Sequence, residues 1–251
     1  MYKVSDTWLR KILVVLYEKR QTTRAEIVAA TRLNVASVSQ ALRHLMDSGV
    51  VLKQGELQSP AGRRRDDLKL SSETGYFIAV DLEGTSVRFG LANFLGDIRC
   101  RWEEPFASGR GLDMDTLSRG IAAVQNPLNA RERGRVLAIG VSYSGTMDRE
   151  GRVTAVNFGW EDYPLARNLS SVTNLPVFLA TECLTKLLAE RWLGTARAAR
   201  DVVYVTVANG VGIACMADGR VISGRDGFAG EFGHINIDPQ IRDRCNCGNT
   251  G

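Results

Sequence analysis

The stretch Gly227–Gly251, GFAGEFGHINIDPQIRDRCNCGNTG, sets the reading of the whole chain. It carries Glu231, His234, Cys245 and Cys247. A carboxylate and an imidazole three positions apart, set between glycines, can both address one small polar ligand. An imidazole and two thiols are borderline-to-soft donors of the kind that hold zinc. One segment therefore combines a ligand contact with a metal that would fix its shape. The alternative for Cys245 and Cys247 is a pair of surface thiols, which the nearby His234 and the glycines disfavour.

GEFGH followed by CNCGNTG resembles the ExGH and CxCGxxG motifs of the repressor/ORF/kinase (ROK) family, which comprises bacterial sugar kinases and sugar-responsive transcription regulators. The resemblance implies sugar contacts from Glu231 and His234 and a structural zinc on His234, Cys245 and Cys247. In the family the second motif runs on to a third cysteine. A fourth zinc ligand is therefore expected one position beyond Gly251, and the C-terminal lobe is expected to be incomplete.

Composition bounds the rest. A chain of 251 residues with 44% hydrophobic and 24% charged residues is ordinary for a globular protein. No apolar run has the length of a membrane span, and MYKVSDTWLRK has no signal-peptide pattern. Five cysteines, with Cys100, Cys183 and Cys215 isolated, do not form a disulfide framework and suit the cytoplasm. Charge is uneven. Residues 1–70 hold 13 Lys+Arg against 7 Asp+Glu, a net of +6, while the remainder is −2 within a whole-chain +4. A basic head on a mildly acidic body points to a polyanion-binding module attached to something else.

The head reads as three helices and a hairpin. Trp8, Ile12, Val15 and Leu16 give Asp6–Lys19 an apolar stripe. Thr23 followed by Glu26 is a capping-box pattern, with Ile27, Ala30 and Leu33 facing inward. Asn34 is a good N-cap for a third helix whose Val35, Val38, Leu42 and Leu45 are expected to be buried, with Gly49 ending it. Its outward face is expected to hold Ser37, Ser39, Gln40 and Arg43, donors and acceptors suited to base edges. VVLKQGEL and DDLKLS read as two strands around QSPAGRRRD, a basic turn whose Arg63, Arg64 and Arg65 suit phosphate or minor-groove contact. A charge run can be only a solvated loop and a three-helix bundle only a dimerisation module. Spacing, caps, polar face and basic turn nonetheless agree on a winged helix-turn-helix. The segment also looks like the N-terminal domain of ROK regulators, which the family's kinases lack.

YFIAVDLEGTSVRFGLANFLGDIRCRWEEPF then reads as three strands with turns at Glu83-Gly84 and Leu95-Gly96. It resembles the opening of the actin-like sugar-kinase fold, where the first turn has the form DxGGT. Here Glu83 replaces a glycine and brings a negative charge toward a phosphate position. Two like charges ~4 Å apart repel by about 4 kcal/mol at an effective dielectric of ~20. Leu112–Gln125 reads as a helix and Arg135–Ser142 as a buried strand leading to Ser144, Gly145 and Thr146, candidate sugar contacts. VNFGWEDYPL matches a family region whose asparagine, Asn157 here, hydrogen-bonds a sugar hydroxyl; from the residues alone it is an ordinary turn asparagine. LPVFLATECLTKLLAERWLG aligns with a family segment bearing the catalytic Asp. That Asp falls on Glu182, its neighbouring Asn on Thr181 and a second Asn on Leu184. Glu182 retains a carboxylate able to accept a hydrogen bond from sugar, but its extra methylene misplaces a base. TVANGVGIAC keeps Gly210 and Gly212 of a second phosphate loop, with Ala208 and Ala214 in place of glycines.

The expected fold is α/β (α+β overall). Residues 1–72 would form a winged helix-turn-helix domain. Residues 73–251 would form a two-lobed actin-like (ribonuclease H-like) sugar-binding domain, incomplete at its C-terminal end. The expected function is a sugar-responsive repressor, kinase activity lost, binding operator DNA as a homodimer or higher homo-oligomer. Two alternatives stay open: an active sugar kinase with a regulatory head, and a fragment that only binds DNA.

Overall fold

A computed structural model describes residues 5–58, 64–83, 86–106, 111–208, 210–225, 229–238, 240, 243–245, 248 and 250. In chain order the head comprises α1 (Asp6–Lys19), β1 (Thr22–Thr23), α2 (Arg24–Thr31), α3 (Val35–Asp47), β2 (Val51–Gln58) and β3 (Arg64–Leu70). Next come β4 (Tyr76–Glu83), β5 (Ser86–Asn93), β6 (Ile98–Pro105), α4 (Met114–Gln125), α5 (Ala130–Arg133) and β7 (Val136–Tyr143). β8 (Thr146–Met147), β9 (Val153–Ala155), β10 (Trp160–Tyr163), α6 (Leu165–Thr173), β11 (Val177–Thr181) and α7 (Glu182–Trp192) follow. The last elements are β12 (Val202–Val207), β13 (Val211–Ala217) and β14 (Arg220–Ile222). Among the described residues the sheets run β1-β3-β2, β11-β7-β4-β5-β6, β10-β9-β8 and β12-β13-β14. β11 lies parallel to β7, with Val177 opposite Ile139 and Thr181 opposite Tyr143.

The chain packs as two compact units. The first comprises Met1–Ile78, Gly90–Arg101 and Val124–Leu137; the second comprises Ala79–Phe89, Trp102–Ala123 and Ala138–Gly251.

In the first unit, Ile12, Leu16, Ile27, Val38, Leu42 and Leu68 form the centre of a dry core. The caps written in the sequence are present. The N–H of Glu26 donates to Thr23 Oγ1 at 3.4 Å and the Glu26 carboxylate reaches back to the N–H of Thr23. Asn34 Oδ1 accepts from the N–H of Ser37 at 2.8 Å. The β2–β3 pairing continues outward to Gln58 opposite Arg64 and Leu57 opposite Arg65. Arg64 and Arg65 therefore belong to a strand and not to the expected turn, while Arg63 lies outside the described residues. Phe94 and Leu95, from the turn after β5, pack against the same core. Arg20 Nη1 donates to the carbonyl of Leu95 at 3.1 Å.

Three side chains of the head depart from expectation. Val35 is 62% exposed, Ala30 is exposed and Ser37 is buried at 6%. On the helical wheel Ser37 shares a row with Ala41 and Leu45 and is drawn inward with them. Val35 sits near the angle of Leu42 but two turns earlier, where the core has ended.

In the second unit, α7 packs on one face of β12-β13-β14 through Leu187, Ala214 and Met216. The other face of β12 presents Val203, Val205 and Val207 to solvent. Phe158 is fully buried between the rings of Phe106 and Trp160, and Trp160 Nε1 donates to Leu112 O at 3.0 Å.

Candidate functional site

Four chain segments of the second unit converge on a cavity of about 150 Å³. Tyr143, Gly145, Thr146 and Met147 line it from the end of β7 through β8, and Leu179, Ala180, Thr181 and Leu184 line it from the β11–α7 junction. Ile213, Ala214, Val221, Ile222 and Ser223 come from the β13–β14 hairpin, and Ala229 and Glu231 from the segment that follows. The lining is mostly apolar, with a few residues that carry polar groups: Glu231, Thr146, Thr181, Ser223 and Tyr143. That is the make-up of a small-ligand site. Burial pushes the Tyr143 phenol up to about 12, so it keeps its proton through the neutral range.

Glu231 reaches this wall because glycines let its segment lie directly on β13. Gly230 has φ +104, and its carbonyl accepts from the N–H of Ile213 at 3.3 Å. A Cβ there would stand 2.1 Å from Ile213 O, and one on Gly233 would stand 2.1 Å from Val211 O. The glycines flanking Glu231 are thus required for backbone approach.

His234 links Glu231 to the cysteine segment. Its Nε2 lies 3.4 Å from Glu231 Oε2, and its Nδ1 lies 3.6 Å from Cys245 Sγ. With zinc bonds of about 2.0–2.1 Å to nitrogen and about 2.3 Å to sulfur, a tetrahedral ion holds such a pair roughly 3.5 Å apart. His234 and Cys245 fit that edge. A carboxylate on the far ring nitrogen is also the usual outer partner of a metal-binding histidine. Among the described residues no three His, Cys, Asp or Glu side chains gather as a metal set, and Cys247 lies outside those residues.

In the head, the outward side of α3 presents Ala36 and Arg43, with Ser39 and Gln40 half-buried at its flanks. Ser37 does not belong to it. Val35, 62% exposed, adjoins it at the edge of the first turn, and the sequence pattern missed it because β-branched residues at helical spacing read as core.

The model of the ROK family matches residues 77–251. The chain belongs to the ROK family. It is 30% identical over 256 residues to the xylose repressor of Caldicellulosiruptor bescii, covering 97% of this chain and 62% of that protein. It is 33% identical over 181 residues to the glucokinase of Halalkalibacterium halodurans, covering 70% of this chain and 54% of that protein. The fold matches a solved ROK family transcriptional regulator, a homologue of E. coli Mlc. That match has a TM-score of 0.74 and 24% identity, and covers 97% of this chain and 63% of the other. The chain spans about three fifths of the length of the curated repressors it matches.

The departures from the ROK kinase pattern now have positions. Thr181, Leu184 and Ala214 all face the cavity, so each change there alters its wall. Glu182 heads α7 with its carboxylate bonded to Lys186 one turn on, and it is not among the lining residues. Asn157 sits exposed in the 3-10 turn Val156–Phe158, and neither it nor His234 lines the cavity. Of the expected sugar contacts, Glu231, Gly145 and Thr146 share the cavity wall. Tyr143 and Ser223 join it without any signal in the sequence, because only the sheet order brings them there. The DLEGT turn cannot be placed in the same way, since Gly84, Thr85 and the Glu83 side chain lie outside what is described.

Proposed function

We propose that this chain is a sugar-responsive, DNA-binding transcription regulator that acts as a repressor and does not phosphorylate its sugar. The observation that carries this reading is the extent of the two likenesses. The match to the xylose repressor covers 97% of the chain, while that to the glucokinase covers 70%. The family model begins at residue 77, so the basic head lies before it, and the helix order and β1-β3-β2 sheet of that head support reading it as a winged helix-turn-helix. Ala36, Ser39, Gln40 and Arg43 would face the major groove, with Arg63, Arg64 and Arg65 toward the backbone. Binding as a dimer would match half-sites spaced by a helical turn. The cytoplasm is the compartment where such DNA is found.

The effector is a sugar of the size and polarity that the Glu231 cavity admits. Its name is sought first among pentoses, because the repressors matched over 97–98% of the chain are xylose repressors, and next among amino sugars, because an N-acetylglucosamine repressor is matched over 91%. Glu231 would accept from sugar hydroxyls, with Thr146 and Thr181 beside it; Asn157, Glu182 and His234 would contribute only if the segments bearing them close over the sugar. Zinc on His234, Cys245 and Cys247 would cross-link the segment that carries Glu231 and act structurally. A ligand shifts the head only through unequal affinity for two arrangements of the protein. Loss of phosphotransfer is supported by Glu182, whose carboxylate is bonded to Lys186 instead of facing the cavity.

The test is fluorescence anisotropy on duplex from the gene's own upstream region, across a salt series, with and without a sugar panel beginning with xylose. Specific binding that weakens steeply with salt and is released by one sugar is the expected result. Binding no tighter than to random duplex would sink the reading, as would ATP-dependent phosphorylation of the releasing sugar.

A further inference from the structure

Resting on the DNA-binding reading above, we propose that Val35 reads the 5-methyl group of a thymine in the operator half-site. The first turn of α3 is fixed by Asn34, whose side chain accepts the N–H of Ser37 at 2.8 Å. Ser37 itself is buried at 6%. The residues that this turn leaves outside are Val35, 62% exposed, and Ala36. Neither can donate or accept through its side chain. The polar groups of the outward face, Ser39, Gln40 and Arg43, begin a turn further on.

Isolated exposed apolar residues are ordinary on protein surfaces. What distinguishes Val35 is its place. The leading residues of the second helix of a helix-turn-helix are those that meet base edges. In the major groove the apolar feature of a base pair is the thymine methyl. A valine on a helix holds one strongly preferred χ1 rotamer, so its two methyl groups are already oriented before contact. The net +6 of residues 1–70 supplies attraction to phosphate but no discrimination among bases. At the front of this helix discrimination therefore falls to shape and apolar contact.

The experiment replaces each thymine of the upstream duplex in turn by uracil, which removes the methyl and leaves every hydrogen-bonding group. The 251-residue chain and its Val35→Ala variant are titrated against each duplex at fixed salt. One uracil position is expected to weaken wild type roughly fourfold, the worth of one buried methyl-sized group. Val35→Ala is expected to bind the unmodified duplex more weakly by a similar factor and to be indifferent to that same uracil. Wild-type binding that no uracil alters overturns the assignment, as does a uracil penalty that Val35→Ala retains in full. Failure to prefer the upstream duplex over random DNA overturns the DNA-binding reading and this assignment together, and is recognised in the first titration.

Discussion

Gly230 shows how little room the ligand segment has. Its φ is +104 and a β-carbon there would stand 2.1 Å from Ile213 O, so none fits without displacement of the backbone. Gly230→Ala is expected to cost about 1–3 kcal/mol of local strain and to lift Glu231 off the cavity wall. The far-UV circular dichroism should be unchanged while the thermal shift given by the releasing sugar disappears; an unaltered shift would mean that Glu231 is not a sugar ligand. Thr23 and Glu26 act at the same scale. Thr23→Ala is expected to lower stability by about 1 kcal/mol in urea denaturation. The Glu26 carboxyl is held below its ordinary 4.5, first by the hydrogen bond from Thr22 Oγ1 at 2.7 Å. A depressed carboxylate pKa stabilises the fold above its unfolded value and loses that contribution as pH falls through the folded one. Stability of wild type should therefore decline more steeply below pH ~4.5 than that of Glu26→Gln, which keeps the capping geometry without the charge. Parallel pH profiles for the two proteins would refute this.

At the scale of elements, the turn between β5 and β6 belongs to the first unit and packs on the head's core through Phe94 and Leu95. Asn93, buried at 7%, builds it: Oδ1 accepts from the N–H of Leu95 at 2.9 Å and of Asp97 at 3.0 Å, and Nδ2 donates to Asp97 Oδ2 at 3.0 Å. Phe94 stacks on Phe77 with centroids 5.9 Å apart, and Arg20 reaches the Leu95 carbonyl. Asn93→Ala strands two amides of this turn and is expected to cost about 1–3 kcal/mol, read as a lower denaturant midpoint. Arg20→Ala removes the tie between α1 and the turn, together with the guanidinium that lies 4.6 Å from the centroid of the Tyr17 ring. It should leave affinity for the upstream duplex within about twofold and blunt the release by sugar. Full release from Arg20→Ala would show that the signal reaches the head by another route.

For the whole molecule, the proposed metal site and the DNA-binding head are expected to be separable. Removing zinc with a chelator should abolish the sugar-induced thermal shift and leave anisotropy on DNA intact, because the head has its own core in the first unit. His234→Ala should reproduce this, with a lower zinc content measured by atomic emission. Loss of DNA binding on chelation would instead make the metal part of the head's support.

The sequence by itself determined the local structure of the head and the family. α1 runs from Asp6 to Lys19 as its apolar spacing requires, and the caps at Thr23 and Asn34 stand where their side chains can reach the first free N–H groups. These depend on interactions within a few residues, which the order of residues encodes directly. The motif GEFGH with CNCGNTG was likewise sufficient for the ROK assignment. Only the tertiary structure decided which side chains look outward. It buried Ser37 and exposed Val35, because exposure depends on where a neighbouring element stops and not on helical periodicity alone. It also decided the cavity wall, since Tyr143, Thr181, Ala214 and Glu231 are far apart in the chain and meet only through strand pairing and the close approach of Gly230 to β13.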